Sequence, residues 1–113
     1  MNSIENNILI GEFKGWRYNP HDGKLSSFSL PNNKMLFLDG CKFHEDYRFI
    51  MEVVEQIEAL GFVFRMRGNL TTFLRPKGSK FVKIWNDEFK GKNKVEAIYN
   101  AVVEFIKWHN ENK

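Results

Sequence analysis

The 113-residue chain is 42% hydrophobic and 27% charged, the ordinary range for one globular domain that buries a core without staples. Its single cysteine, Cys41, excludes an intramolecular disulfide and a thiolate metal cage built from this chain alone. A net charge of +3 is by itself a poor argument for nucleic acid, and it argues against a wholesale mimic of DNA, which would be strongly acidic.

The distribution of charge says more than its sum. Residues 45–61 carry one cation against five anions, whereas residues 62–92 carry eight cations against two anions. At the start, MNSIENN (Met1–Asn7) has neither the basic opening nor the apolar run of a leader, and it is expected to be disordered. No stretch approaches the roughly 18 uninterrupted apolar residues of a membrane span. With the lone cysteine, this leads to the expectation of a cytoplasmic protein without a membrane partner.

ILIGEF (Ile8–Phe13) is a short run rich in β-branched residues and predicts a strand, followed by a loop or hairpin connection in GWRYNPHDG (Gly15–Gly23). LSSFSL (Leu25–Leu30) and KMLFLD (Lys34–Asp39) flank the turn residues Pro31-Asn32-Asn33 and predict two further strands. HEDYRFIMEVVEQIEALG then predicts an amphipathic helix with Asp46 as N-cap and Gly61 as its left-handed terminator. Its apolar stripe is Tyr47, Ile50, Met51, Val54, Ile57 and Leu60. Glu52, Glu55 and Glu58 place an acidic ridge on the other side.

FVFRMR (Phe62–Arg67), LTTFLR (Leu70–Arg75) and KFVKIW (Lys80–Trp85) predict a meander, separated by Gly68-Asn69 and by Pro76-Lys77-Gly78. A closing helix begins at the cap Asn93, with Glu96 near the capping-box position, and carries Val95, Ile98, Tyr99, Val102, Phe105, Ile106 and His109 at helical spacing. The fold class that follows is α+β, one domain over residues 1–113: an antiparallel sheet of about five or six short strands with two amphipathic helices packed on one face.

Alternation along the meander yields a candidate surface. With Phe62, Phe64, Met66, Leu70, Thr72, Leu74, Val82 and Ile84 inward, the face away from the helices shows Arg65, Arg67, Phe73, Arg75, Phe81, Lys83 and Trp85. Rings that stack bases and cations that hold phosphates make single-stranded RNA a chemical match. The ordinary account is a solvated sheet face decorated for cross-strand pairing, and no RNA-binding signature motif decides between the two. The acidic ridge of Glu52, Glu55 and Glu58 is the alternative partner surface, able to dock on a basic channel or to be the wet side of a helix.

Catalysis and cofactors find little support. Cys41 and His44 have the spacing of half a zinc site, yet further ligands must come from His21, His109 or carboxylates distant in sequence. As a nucleophile pair they lack a Gly-rich hole for an oxyanion. His21-Asp22-Gly23 reads as turn chemistry, Asp87-Glu88 as loop charge able at most to hold Mg²⁺, and GKNK lacks the spacing of a phosphate-binding loop. The expectation is a non-enzymatic protein with no metal and no cofactor.

MEVVEQIEALGF (Met51–Phe62) and KVEAIYNAVVEFIKWHNENK (Lys94–Lys113) resemble a family of small proteins carried by phages and prophages of Bacteroidota. That family shows a VVEKIE-LG helix, short strands and a closing KIEAVYNAVVEFIKWYN helix, and IGEFKGW is similar to its opening. This chain departs from it at HEDYRFIMEVVEQ, which lacks the two tryptophans and the proline of the family's helix entry. The resemblance implies the fold and the company of mobile-element accessory proteins, with no catalytic residue. An inhibitor of the type VI-B RNA-guided RNase is of similar make, so it implies an anti-CRISPR protein whose partner is a host defence nuclease or its RNA-bound complex. A small RNA-binding module is the alternative.

Overall fold

In the computed structural model, which describes residues 3–21 and 26–112, the chain opens with helix α1 (Ser3–Phe13) and strands β1 (Arg17–Asn19), β2 (Ser27–Leu30) and β3 (Lys34–Phe37). Helix α2 (Tyr47–Ala59) precedes strands β4 (Val63–Arg67), β5 (Leu70–Lys77), β6 (Lys80–Lys83) and β7 (Phe89–Lys90), and helix α3 (Lys94–Glu111) closes the chain. The architecture is α+β. Among the described residues it has three helices and seven strands in two antiparallel sheets, where a single sheet of five or six strands with two helices was expected.

The two expected helices begin at their caps. Asp46 accepts from the backbone N–H of Arg48 at 2.9 Å and of Phe49 at 3.2 Å, and Asn93 accepts from Glu96 at 2.9 Å, each meeting amide groups that an α-helix start leaves unpaired. Glu96 in turn accepts from the N–H of Lys92, one residue before the cap. Gly61 ends α2 at a φ of +102°, which a Cβ disfavours. On α2 the buried residues are Ile50, Val53, Val54 and Ile57, while Tyr47 and Leu60, at the ends of the expected stripe, are exposed.

ILIGEF is helical rather than extended, and the expected disorder of the first seven residues gives way to helix from Ser3; Met1 and Asn2 lie outside the described residues. The buried positions of α1 are Asn7, Ile10 and Gly11, spaced as one helix face, but two of the three are not apolar and so leave no hydrophobic period to read. Each has a tertiary reason. Asn7 is held by hydrogen bonds, and Gly11 lets the ring of Phe28 approach so closely that a Cβ would sit 2.5 Å from it.

The first sheet has the order β1-β2-β3, with Phe28 of β2 fully buried among Trp16 and Tyr18, each ring 5.6 Å away. Its β1 lies in the stretch expected to be a loop; the Asp22-Gly23 part of that turn, and Leu25 of the next expected strand, lie outside the described residues. Between β2 and β3 the chain reverses through Asn32 and Asn33 at φ of 69° and 61°, the left-handed region that Asn tolerates best after Gly. Helix α3 occupies the centre, touching α1, α2, β5 and β7, with Ile98, Val102, Phe105 and Ile106 buried. No helix among the described residues is long and apolar enough to cross a membrane.

Candidate nucleic-acid interface on the second sheet

The second sheet runs β4-β5-β6, with β7 pairing the start of β5 on the side where β6 pairs its end. Both hairpin loops contain two residues. Arg67 pairs with Leu70 across Gly68-Asn69, and Lys77 with Lys80 across Gly78-Ser79, both glycines at φ of 63°. The strand therefore continues through Pro76 and Lys77, which were expected to belong to the turn.

Register decides which side chains share a face, because directly paired residues project to the same side. Phe64 pairs with Phe73 and Met66 with Thr71, on the side of α3; Phe73 is fully buried and its ring lies 5.3 Å from that of Phe105. Arg65 pairs with Thr72, and Leu74 with both Val63 and Lys83, on the outer side. The expected alternation holds for β4 and β6 and is shifted by one residue along β5. Phe73 is thus a core residue, and Arg75, paired with Val82, falls on the helix side of the sheet. Trp85 lies beyond β6, half-buried, edge-on to Phe89 with ring centroids 4.9 Å apart. Of the seven residues expected together, Arg65, Arg67, Phe81 and Lys83 share the outer face.

Between these cations lies a cleft of about 410 Å³, lined by Arg65, Met66, Arg67, Lys83 and Glu88. Glu88 faces outward because its neighbour Phe89 pairs with Thr71 on the core side. Its carboxylate lies 3.6 Å from the Arg67 guanidinium and 3.9 Å from the Lys83 ammonium, and its side chain is 14% exposed against 81% for Arg67. Lys90, paired with Leu70, adds another exposed cation to the same side. Phe81, paired with Pro76, is 51% exposed and lies at the other end of the face. The arrangement can hold anions and stack a planar group.

Sequence reasoning treated Glu88 as loop charge and missed Lys90, since the two-residue β7 carries no periodicity. The phase of β5 had a usable signal: a two-residue Gly-Asn turn requires Arg67 and Leu70 to face the same way.

On α2, Glu52, Glu55 and Glu58 are all exposed, as expected of a ridge. Glu52 is paired with Lys14 at 3.2 Å, and that ammonium also sits 5.0 Å over the ring of Trp16. The ridge is therefore partly neutralised from within the fold.

The Cys41 thiol is buried, and burial first, then the charge of Asp39, pushes its pKa up to about 11, which leaves little thiolate at neutral pH. His44 is occupied by Asn7, 3.4 Å from its Nδ1, and by Glu45 at 3.2 Å. The His21 backbone N–H donates to the Ser26 hydroxyl, which donates back to the His21 carbonyl; its expected neighbour Asp22 lies outside the described residues. Among the described residues no group of three or more His, Cys, Asp or Glu side chains is placed to hold a metal ion. No protein-family model, curated protein or solved structure matches the chain.

Proposed function

We propose that this protein is a non-enzymatic inhibitor of the anti-defence type, acting in the cytoplasm on an RNA-guided nuclease at an RNA-handling surface. The type VI-B RNase is the candidate partner that the family resemblance implies. The observation that carries the reading is the common outer face of Arg65, Arg67, Lys83 and Phe81, a cationic surface with an exposed ring at its edge. Arginines and rings are also favoured anchors in protein interfaces, so the same face suits a nuclease with its RNA bound. The ridge of Glu52, Glu55 and Glu58 is the weaker candidate because Glu52 already has a cation.

A small RNA-binding module is the second reading, favoured by the exposed Phe81 ring beside the cations. The deciding experiment measures target-RNA cleavage by a purified type VI-B effector with its guide, with and without the protein. Inhibition that is lost in R65E/R67E supports the reading. Inhibition unchanged in R65E/R67E and lost in E55K/E58K moves the contact to α2, and no inhibition at any excess of protein removes the nuclease as partner.

A further inference from the structure

We propose that Glu88 is a built-in stand-in for a phosphodiester: its carboxylate occupies a phosphate site between Arg67 and Lys83, and an RNA phosphate binds there by displacing it. The proposal deepens the reading of the outer sheet face as an RNA-handling surface and rests on it.

Three features of the cleft support it. At 3.6 and 3.9 Å, the Glu88 oxygens are held by charge but lie outside the range of tight charge-assisted hydrogen bonds, so exchanging them for another anion breaks no short contact. The carboxylate sits low in the cleft, and its two cations stand at the rim, 81% and 42% exposed, able to turn toward an incoming ligand. Arg65 lines the same cleft, so three cations face one carboxylate and positive charge remains for a polyanion.

The alternative role for Glu88 is a tether for the segment between β6 and β7, and the isosteric variant Glu88→Gln separates the two. Binding of the 113-residue chain to a fluorescein-labelled single-stranded RNA of 12 nucleotides is followed by fluorescence anisotropy over a range of NaCl concentrations. Circular dichroism melts verify that E88Q folds like the parent. With a phosphate site, E88Q binds about tenfold tighter at low salt because no carboxylate has to be displaced, and log K falls with log salt at the same slope in both proteins, since displacement leaves the same cations on phosphate. Lys83→Met costs more affinity in the E88Q background than in the parent, because in the parent the same change also removes the Glu88 pair that the phosphate must break.

Binding by E88Q that is no tighter than the parent's overturns the proposal. If R65E/R67E abolishes nuclease inhibition but neither parent nor E88Q binds the RNA, the face docks protein: the phosphate site falls and the inhibitor reading stands. If E88Q tightens RNA binding while R65E/R67E still inhibits the nuclease, the phosphate site stands and the inhibitor reading of this face falls.

Discussion

The Tyr99 hydroxyl of α3 donates to Oδ1 of Asn7 on α1 at 2.9 Å, a buried bond between residues 92 apart in the chain. The Asn7 amide then donates to the Cys41 carbonyl at 3.3 Å, so one carboxamide ties the first helix to the last and to the segment before α2. Tyr99→Phe removes a donor from a buried oxygen and is expected to cost about 1–3 kcal/mol. Asn7→Ala, which strips partners from both neighbours, costs more. Urea unfolding of the two variants and the double variant measures the coupling.

Phe73 and Phe81 were expected on one surface, and the register places them in different environments: Phe73 fully buried, Phe81 51% exposed. Phe73→Ala is expected to destabilise by about 3–5 kcal/mol through the cavity left against Phe64 and Phe105. Phe81→Ala stays within about 0.5 kcal/mol. Equal losses in chemical denaturation contradict the assigned phase of β5.

Gly11 is set by the ring of Phe28 rather than by backbone geometry, since it lies inside α1. Alanine ordinarily stabilises a helix interior by about 1 kcal/mol over glycine. Here overpacking against a fully buried ring reverses the sign, and Gly11→Ala is expected to lose about 1–3 kcal/mol. Phe28→Leu in the same chain recovers part of that loss, which thermal melts of the single and double variants test.

Stability should fall at alkaline pH for a definable reason. Burial raises the Cys41 thiol from 9.0 to about 11 and the Tyr99 phenol from 10.0 to about 12. Both groups then bind protons more tightly folded than unfolded, so their contribution is complete below the unfolded values and is lost as pH rises from about 9 toward about 12. Urea midpoints taken from pH 8 to pH 11 should decline, and Cys41→Ala should flatten the lower part of the decline. A midpoint independent of pH over that range contradicts the burial of both groups.

The three arginines of the meander are not equivalent. Arg65 and Arg67 face outward and Arg75 shares the side of Val82, so reversal at Arg65 and Arg67 is expected to weaken partner binding by at least about tenfold. Arg75→Glu changes it by less than about twofold. Titration of each variant against the proposed partner, a guide-loaded type VI-B effector, provides the comparison, and equal losses contradict a one-sided interface.

What the sequence by itself determined was local: the caps at Asp46 and Asn93, the terminator Gly61, the centre of the α2 stripe at Ile50, Val54 and Ile57, the apolar stripe of α3, and the outward phase of Arg65, Arg67, Phe81 and Lys83. Those features depend on neighbours within a few residues, where periodicity and capping chemistry are complete. Tertiary structure decided what depends on distant partners. Ile8–Phe13 reads as a strand until Tyr99 satisfies Asn7 and Phe28 packs on Gly11, which makes a helix face from a polar residue and a glycine. Phe73 and Arg75 exchange sides from their expected ones because pairing with β4 sets their phase, and two-residue β7 exists only because β5 offers it an edge. The candidate site divides the same way: its cations were legible along β4 and β6, whereas Glu88 joined them only when the pairing of β7 with β5 brought the end of the β6–β7 segment beside Arg67 and Lys83.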